Sequence, residues 1–390
     1  MELAKRMSRL GSETAFEVLA RAKELEAQGR DVIHLEIGEP DFDTPRNIID
    51  AAISALRSGY THYTPSAGIP ALREVIADYV SRTRDIPVKP SQVVVTPGAK
   101  PIMFFTILAL CNAGDEVIYP NPGFPIYESM INFVGATPVP LRLRMDREFS
   151  FGPDELTSLI TPRTKLLILN SPANPTGSVV SQEDLGAIAK VVLEHENLMV
   201  LSDEIYSRIL YEDEFASIAS FPGMAERTIV LDGFSKTYAM TGWRLGYGVA
   251  RVDLAAQIAK LMNNSNSCTN AATQMAGIEA LTGPQDDVDR MVAAFRERRS
   301  VIVEGLNAIP GFRCLRPRGA FYAFPNITET GVGSKAMEEL LLETGGVATL
   351  SGTSFGANGE GFLRLSYANS VENIRRALER IHDLVVKIAD

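Results

Sequence analysis

In the N-terminal quarter of the chain, apolar positions recur at the three- and four-residue spacing of a helix that packs one face against a core. The pattern predicts helices over residues 12–28, 48–57 and 69–82. A short apolar run over residues 31–37 predicts a strand. The residues that follow, 38–45, are rich in Gly, Pro and Asp, which indicates a loop.

From about residue 92 the pattern changes to short, continuous apolar runs that alternate with helical stretches. The runs predict strands over residues 93–96, 116–119, 165–169, 198–202, 228–231 and 245–249. Helices are predicted between them over residues 100–110, 126–133 and 182–194. Because strands that are apolar throughout are buried on both faces, we expect an α/β fold whose mainly parallel sheet lies between helices. The chemistry of such folds lies in loops beyond the carboxyl ends of the strands.

The C-terminal third combines long helices with shorter strands. Helices are predicted over residues 288–309 and 371–388, and strands over residues 319–324 and 361–366. We interpret this region as a smaller α+β domain that the N-terminal segment joins. The expected division is a large domain over residues 46–284 and a small domain formed by both chain ends, residues 1–45 and 285–390.

Composition narrows the class of protein. The chain has 390 residues, of which 45% are hydrophobic and 22% charged, and these globular values exclude disorder, collagen and coiled coil. The net charge of −10 argues against a nucleic-acid partner. Apolar runs stay short of the ~18 residues of a membrane span, and the N-terminal residues lack the apolar core of a signal peptide.

The cysteines and histidines do not form a pattern typical of disulfides or metal ligands. Cys111, Cys268 and Cys314 are odd in number and far apart, and the four histidines are scattered. The glycine-rich nucleotide-binding motifs are absent from the sequence. We therefore expect a soluble, cytoplasmic protein that acts on small molecules without a metal, a membrane or a nucleic acid.

Polar side chains follow three successive strands of the predicted sheet. They are Asn174, then Asp203 with Tyr206, then Lys236, and Arg244 comes shortly afterwards. A lysine amine can form a Schiff base with pyridoxal phosphate, whose ring nitrogen needs a carboxylate such as Asp203. The Asn174 amide and the Tyr206 hydroxyl can donate hydrogen bonds to the ring oxygen. This group of residues therefore favours a pyridoxal phosphate site.

The phosphate of such a cofactor needs backbone N–H groups at a helix start and a cation. Gly98, Ala99 and Lys100 end a predicted strand and open a helix, and Arg244 supplies the cation. Phe124, in a segment rich in Pro and Gly, is the candidate ring to stack on the cofactor. Each residue alone also has an ordinary explanation as part of a turn, a helix cap, a core aromatic or a surface charge, and for an isolated lysine the surface explanation is the more common one. It is their combination that favours the cofactor.

This combination of motifs resembles the fold-type I, class I/II aminotransferases, and most of all the branch with bacterial and archaeal aspartate and broad-specificity aminotransferases. The matching segments lie in the family order and cover essentially the whole chain: residues 37–45, 63–73, 96–100, 114–117, 171–177, 202–206, 235–246 and 363–366. The resemblance implies a mainly parallel seven-stranded sheet between helices, a small α+β domain and pyridoxal 5'-phosphate. It also implies ping-pong transfer of an amino group from an L-amino acid to a 2-oxo acid, with 2-oxoglutarate or pyruvate as acceptor.

The resemblance implies a role for each candidate residue at the cofactor. Lys236 would carry the cofactor as a Schiff base and move the proton, and Asp203 would face the pyridine nitrogen. Tyr206 and Asn174 would hold the ring oxygen, and Phe124 would stack on the ring. The residues expected around the phosphate are Gly98, Ala99, Lys100, Ser235 and Arg244.

The resemblance also implies the substrate contacts and the assembly. Arg364 would clamp the substrate α-carboxylate, helped by Asn174 and by the backbone of Gly38, with Phe124 nearby. Members of the family are homodimers with sites at the interface. The position of Tyr63 implies a hydroxyl that reaches the phosphate of the neighbouring subunit.

At two positions of the proposed cofactor site, this chain departs from the family pattern. Gly233 stands where many relatives carry a phosphate-binding serine, and Phe124 lacks the polar tip of Trp or Tyr. The helix around Thr14 and Phe16 is expected to cover the pocket and to favour apolar or small side chains, and we assign no second arginine for a distal carboxylate.

A C–S lyase on the same scaffold is the alternative function. Transcription regulators share the scaffold, but a family match that begins near residue 12 leaves no room for their DNA-binding domain.

Overall fold

The computed structural model describes residues 3–389. The helices in that range are α1 (Thr14–Ala27), α2 (Arg46–Arg57), α3 (Pro70–Arg84), α4 (Lys100–Leu110), α5 (Ile126–Val134), α6 (Pro153–Leu159), α7 (Gln182–Leu193), α8 (Val252–Asn266), α9 (Ala271–Thr282), α10 (Asp286–Asn307), α11 (Ser334–Leu340) and α12 (Val371–Ala389). The strands are β1 (Ile33–His34), β2 (Val93–Thr96), β3 (Glu116–Asn121), β4 (Thr137–Arg142), β5 (Thr164–Asn170), β6 (Met199–Asp203), β7 (Thr228–Gly233), β8 (Gly246–Val249), β9 (Tyr322–Ala323), β10 (Val347–Ala348), β11 (Leu350–Ser351) and β12 (Leu363–Ser366).

Seven of the described strands form a central sheet in the order β2-β8-β7-β6-β5-β3-β4. Neighbouring strands run parallel except at β8, which is antiparallel to both β2 and β7. Helices cover both faces: Val94 of β2 packs in a cluster with residues of α4 and α8, whereas Val93 and Val95 pack with residues of α3 and α9. The mainly parallel sheet that the continuous apolar runs predict is confirmed.

The register of the sheet places the candidate residues along one edge. Asn170, the last residue of β5, lies opposite Asp203, the last residue of β6. Asp203 in turn lies opposite Leu231 near the end of β7. Because these three carboxyl ends are nearly level, the loops that carry Asn174, Tyr206 and Lys236 leave the sheet side by side.

The strand β4 is missing from the sequence-based prediction. It lies at an edge of the sheet, and most of its residues are exposed or partly exposed. Pro138 and Pro140 interrupt its sequence, so it lacks a continuous apolar run. Proline is tolerated in an edge strand because one side of that strand needs no ladder hydrogen bonds.

The helices α8 and α9 are also missing from the sequence-based prediction. Buried residues of α9 lie all around the helix and are mostly small, among them Ala272, Ala276 and Gly277. A helix that is apolar on all sides lacks the one-sided pattern by which surface helices are recognised. Among the helices within residues 3–389, not one is both long enough and apolar enough to cross a membrane.

The two ends of the chain meet beside the central sheet. β1 pairs in parallel with β10, and Ile33 lies opposite Val347. β11, β12 and β9 form a separate antiparallel sheet. Asp31 forms ion pairs with Arg376 and Arg380 of α12. The strand expected over residues 31–37 is shorter than predicted, because its partner β10 is only 2 residues long.

Candidate active site

A cavity of about 880 Å³ opens at the carboxyl ends of β5, β6 and β7. It brings together most of the residues that the sequence singles out. Those that line it are Gly38, Ala99, Lys100, Phe124, Asn174, Asp203, Tyr206, Ser235, Lys236, Arg244 and Arg364. Gly98 packs against the guanidinium of Arg244, and Tyr63 lines a different hollow.

Asp203 is a buried carboxylate at the end of β6. The Tyr127 hydroxyl donates a hydrogen bond of 2.5 Å to its Oδ2, and the Ile205 N–H donates one of 3.3 Å to its Oδ1. Burial raises the pKa of Asp203 to about 6, and the neighbouring carboxylates of Asp232 and Glu204 act in the same direction. A cation placed against Asp203 would offset this cost of burial and hold the carboxylate ionised.

Lys236 lies in the loop directly after β7, and its side chain reaches across the cavity. Its Nζ donates a hydrogen bond to the backbone oxygen of Gly38. The pKa of Lys236 is lowered to about 8, mainly by burial; the guanidinium groups of Arg364 and Arg244 contribute to the lowering, and nearby carboxylates partly oppose it. At pH 7 about a tenth of the amine is therefore uncharged, which is the form that attacks a carbonyl or accepts a proton.

Arg364 of β12 is buried in the wall of the same cavity. Its Nη1 donates to Oδ1 of Asn174 at 3.1 Å, and its Nη2 donates to the backbone oxygen of Glu36. Its Nε is buried and has no hydrogen-bond partner among residues 3–389. Since a buried, unused N–H donor is costly, this guanidinium is well suited to bind a carboxylate.

The amide of Asn174 is itself held in place. The Asn174 backbone N–H donates a hydrogen bond of 2.9 Å to Oδ1 of Asn170, the last residue of β5. The side-chain amide of Asn170 donates to the backbone oxygen of Asp203 at 3.1 Å. The end of β5 therefore fixes both the loop that carries Asn174 and the strand that carries Asp203.

The start of α4 and Arg244 form a compact cradle. A Cβ atom on Gly98 would lie 2.2 Å from Nη2 of Arg244, and one on Gly246 would lie 2.3 Å from the backbone nitrogen of Ala99. Only glycine allows these close approaches. They place a guanidinium next to the free N–H groups at a helix start, and Ser235 lines the same cavity. This arrangement suits a phosphate.

The residues present fit pyridoxal 5'-phosphate. A ring nitrogen that carries a proton would supply the cation that Asp203 needs, and the cradle at Gly98 would take the phosphate. Lys236 offers an amine of lowered pKa for the aldehyde carbon. The unused Nε of Arg364 remains for the carboxylate of an amino acid substrate.

Lys100 and Phe124 lie next to each other at the rim of the cavity. The Lys100 ammonium forms an ion pair with Glu13 at the start of α1 and lies 5.3 Å from the centre of the Phe124 ring. Phe124 packs edge to face on Tyr127 with the ring centres 5.6 Å apart. The side chain of Lys100 is therefore engaged with α1.

The Tyr63 side chain is 90% exposed and contributes to a different hollow, together with His62, Cys268 and Asn270. In this single chain its hydroxyl is remote from the cavity. The predicted contact of Tyr63 with a neighbouring subunit stays a prediction.

The structure adds site residues that the sequence analysis missed. Tyr322 of β9 is buried, and its hydroxyl lies 2.7 Å from that of Tyr206. The Tyr322 ring also lies against the Arg364 guanidinium, 4.6 Å from ring centre to Cζ. The residues missed are Tyr127, Tyr322, Glu13 and Glu36. Neither tyrosine stands in a motif; the apolar run around Tyr322 was interpreted only as a strand.

A buried ion-pair network lies behind Asp203. Arg84 Nε donates to Glu204 Oε2 at 2.9 Å, and its Nη2 donates to Asp232 Oδ2 at 2.6 Å. Glu204 follows Asp203 directly, and Asp232 lies in β7 before Lys236. Arg84 thereby ties together the ends of the two strands that present the carboxylate and the amine.

The model of the family "Aminotransferase class I and II" matches residues 30–381. An aspartate aminotransferase from Bacillus sp. (strain YM-2) is 41% identical over 390 residues, which is 98% of this chain and 99% of the relative. The structure of the aspartate aminotransferase from Thermus thermophilus with maleate gives a TM-score of 0.95 at 38% identity and covers 98% of this chain and 100% of that one. The aromatic aminotransferase from Pyrococcus horikoshii OT3 gives 0.89 at 39% identity, with 95% and 99% covered.

These matches extend over nearly the full length of the chain and confirm the resemblance that the motifs indicate. They give no support to the alternative of a C–S lyase. The chain therefore belongs to the class I and II aminotransferases, pyridoxal-phosphate-dependent transferases that move an amino group to a 2-oxo acid.

Proposed function

We propose that this cavity transfers the amino group of an L-amino acid with a small or apolar side chain to a 2-oxo acid by a ping-pong mechanism. The observation that carries the proposal is that Lys236 and Arg364 face one cavity, with Asp203 at its base. One group supplies an amine of lowered pKa, and the other supplies a buried guanidinium with an unused N–H.

In this proposal the residues around the ring act as follows. Bound pyridoxal phosphate supplies an electron sink that stabilises negative charge at the substrate Cα. Asp203, ionised, holds a proton at the ring nitrogen, while Tyr206 and Asn174 donate hydrogen bonds to the ring oxygen. Phe124 covers one face of the ring.

Arg364 and Lys236 act on the substrate. Arg364 binds the α-carboxylate through its free Nε together with the amide of Asn174, and this contact orients the Cα–H bond toward Lys236. The neutral Lys236 amine then takes the proton from Cα at Nζ and later returns it. Hydrogen bonding to the Gly38 backbone, which the structure contains, keeps Nζ on this side of the cavity.

The phosphate contacts are proposed to be the backbone N–H groups of Ala99 and Lys100, the Ser235 hydroxyl and the Arg244 guanidinium. The absence of a hydroxyl at Gly233 leaves Ser235 and Arg244 as the main side-chain contacts. Arg244 already donates to the backbone oxygen of Thr241 at 2.7 Å, so its side chain is held in position before any ligand arrives.

The assembly, the domain division and the location complete the proposal. We propose a homodimer in which Tyr63 reaches the phosphate of the neighbouring site, and its 90% exposure in the single chain supports this. The pairing of β1 with β10 supports a small domain over residues 1–45 and 285–390 beside a large domain over residues 46–284. A cytoplasmic location agrees with three cysteines that are all unpaired.

The donor side chain is proposed from the cavity. Phe16 and Leu19 of α1 contribute apolar surface to its wall. Of the three relatives described above, two are named for aspartate and one for aromatic amino acids, so their names do not agree on one donor. The acceptor is proposed to be pyruvate or 2-oxoglutarate.

The proposal is tested with a panel of amino acids against pyruvate and 2-oxoglutarate. We expect continued formation of the donor's keto acid only when an acceptor is present, and about one equivalent per site without it. Release of pyruvate and ammonia without an acceptor would overturn the proposal and favour a C–S lyase.

A further inference from the structure

The side chains of three cationic residues on the wall of the cavity have no part in the proposed reaction. They are Lys23, His34 and Lys100, in contrast to Lys236, Arg244 and Arg364. A substrate with an acidic side chain would need one of these three as a partner. Whether that partner is free decides which side chains the cavity favours.

Each of the three is already paired with a carboxylate of the chain. Lys23 Nζ lies 2.8 Å from Glu26 Oε2, and His34 lies between Glu26 and Glu36, at 3.1 Å and 2.7 Å. Lys100 is paired with Glu13. Within residues 3–389, the cavity wall therefore offers a distal carboxylate no cation that lacks a carboxylate partner.

Of the carboxylates in these three pairs, only Glu13 lines the cavity. It lines the cavity together with Arg364 and Lys236, and only 19% of its side chain is exposed. Burial lowers the pKa of Lys236 and of Arg364, and the charge of Glu13 opposes that effect at both residues. The negative charge of Glu13 therefore acts on both residues that contact the substrate in the proposed reaction.

We propose that Glu13 is a specificity-determining residue that makes the enzyme favour donors and acceptors with an uncharged side chain over those with an acidic one. An acidic side chain must either displace Glu13 from Lys100 or lie beside an uncompensated carboxylate. An uncharged side chain meets a neutral ion pair and the apolar surface of Phe16. The inference rests on the proposed function, and it predicts that pyruvate is a better acceptor than 2-oxoglutarate.

The test compares Glu13→Gln with the wild-type holoenzyme on two donors of nearly equal size, aspartate and asparagine. The variant keeps the length and the hydrogen bonds of the side chain but frees the Lys100 charge. We expect the ratio of kcat/KM for aspartate to that for asparagine to rise about tenfold. Binding is measured separately by calorimetry, where succinate should bind about tenfold more tightly to the variant and butyrate should bind with nearly unchanged affinity.

Glu17→Gln is the matched control, because Glu17 lies in the first turn of the same helix, is exposed and is bonded to Ser12. We expect wild-type ratios for this control. Glu13→Ala serves as a second variant should Glu13→Gln fold poorly, and it should shift the ratio in the same direction. A change below about twofold in both Glu13 variants, or an equal change in Glu17→Gln, would overturn the inference. Failure of the proposed function looks different, since no donor would then pass its amino group to a 2-oxo acid in any variant.

Discussion

The two sides of the cavity differ in whether their charged side chains have a partner of opposite charge. On the reaction side, which consists of Asp203, Lys236 and Arg364, burial shifts the pKa values of the carboxylate, the amine and the guanidinium away from their ordinary values. On the α1 side, which consists of Glu13, Phe16 and Lys23 with Lys100 facing them, each charged group has an opposite charge beside it.

This difference indicates which part of the site is suited to bind a charged ligand. A buried group with a shifted pKa and an unused donor, such as Arg364, gains free energy when its partner arrives. A paired group, such as Lys100, must first give up a partner that it already has. The reaction side is therefore built to bind charge, whereas the α1 side is built to select against it.

The largest effect is expected for Lys236→Ala, because the chemistry of the reaction side depends on this amine. We expect transamination to fall by at least about 10⁴-fold, since both the covalent attachment and the proton transfer lose their group. The visible absorbance of the attached cofactor should also be lost. Both are measured on purified protein after incubation with pyridoxal phosphate.

Lys100→Ala is the control for Lys236→Ala, since it removes an ammonium from the α1 side. The attached cofactor should remain visible in the control. If Lys236→Ala kept transamination near the wild-type rate, the reaction side would be assigned wrongly.

The next largest effect is expected for Asp203→Asn. The amide keeps the shape but cannot hold a proton at the ring nitrogen by charge, so we expect kcat to fall by about 10³-fold. The cofactor should still attach to Lys236, which its visible absorbance would show. Retention of kcat within about tenfold would mean that the negative charge of Asp203 has no catalytic use.

The reaction side was largely predictable from the sequence, and the α1 side was not. Asn174, Asp203 and Lys236 stand directly after continuous apolar strands, and parallel strands bring such positions to one edge. Glu13 and Lys100 are far apart in the chain, and each alone has the pattern of a solvated surface charge. Their pairing depends on how α1 packs over the cavity, which local patterns do not determine.

The same contrast explains the errors in the fold. The buried strands of the sheet were predicted because each contains a continuous run of buried apolar residues. The edge strand β4 was missed because its two prolines and exposed residues have no such pattern. The domain boundaries and the roles of the site residues stay predictions.

A pH dependence sharpens the comparison further. Attachment of pyridoxal phosphate to the apoprotein needs the neutral amine of Lys236, whose pKa is lowered to about 8. Below that pH the amine is protonated, so the rate should fall about tenfold per pH unit and be about a hundredfold slower at pH 6 than on the plateau above pH 8. Stopped-flow absorbance measures this rate. A rate that still rises about tenfold per pH unit between pH 8.5 and pH 10 would contradict a lowered pKa at this lysine.

The smallest expected effect concerns Tyr322, which contacts both Tyr206 and Arg364 on the reaction side. Tyr322→Phe removes the hydroxyl that lies 2.7 Å from the Tyr206 hydroxyl, so Tyr206 becomes a weaker donor to the ring oxygen. We expect kcat to fall about fivefold, with a loss of about 1 kcal/mol in the free energy of unfolding.

Tyr211→Phe is the matched variant for Tyr322→Phe, because Tyr211 and Tyr367 form another buried pair of hydroxyls at 3.0 Å, in the same hydrophobic cluster. Denaturant unfolding should show a similar loss of stability in both variants. Only Tyr322→Phe should lower kcat, since only Tyr322 lines the cavity. Equal kcat values for the two variants would show that Tyr322 is a packing residue. Tyr322 would then not belong to the reaction side.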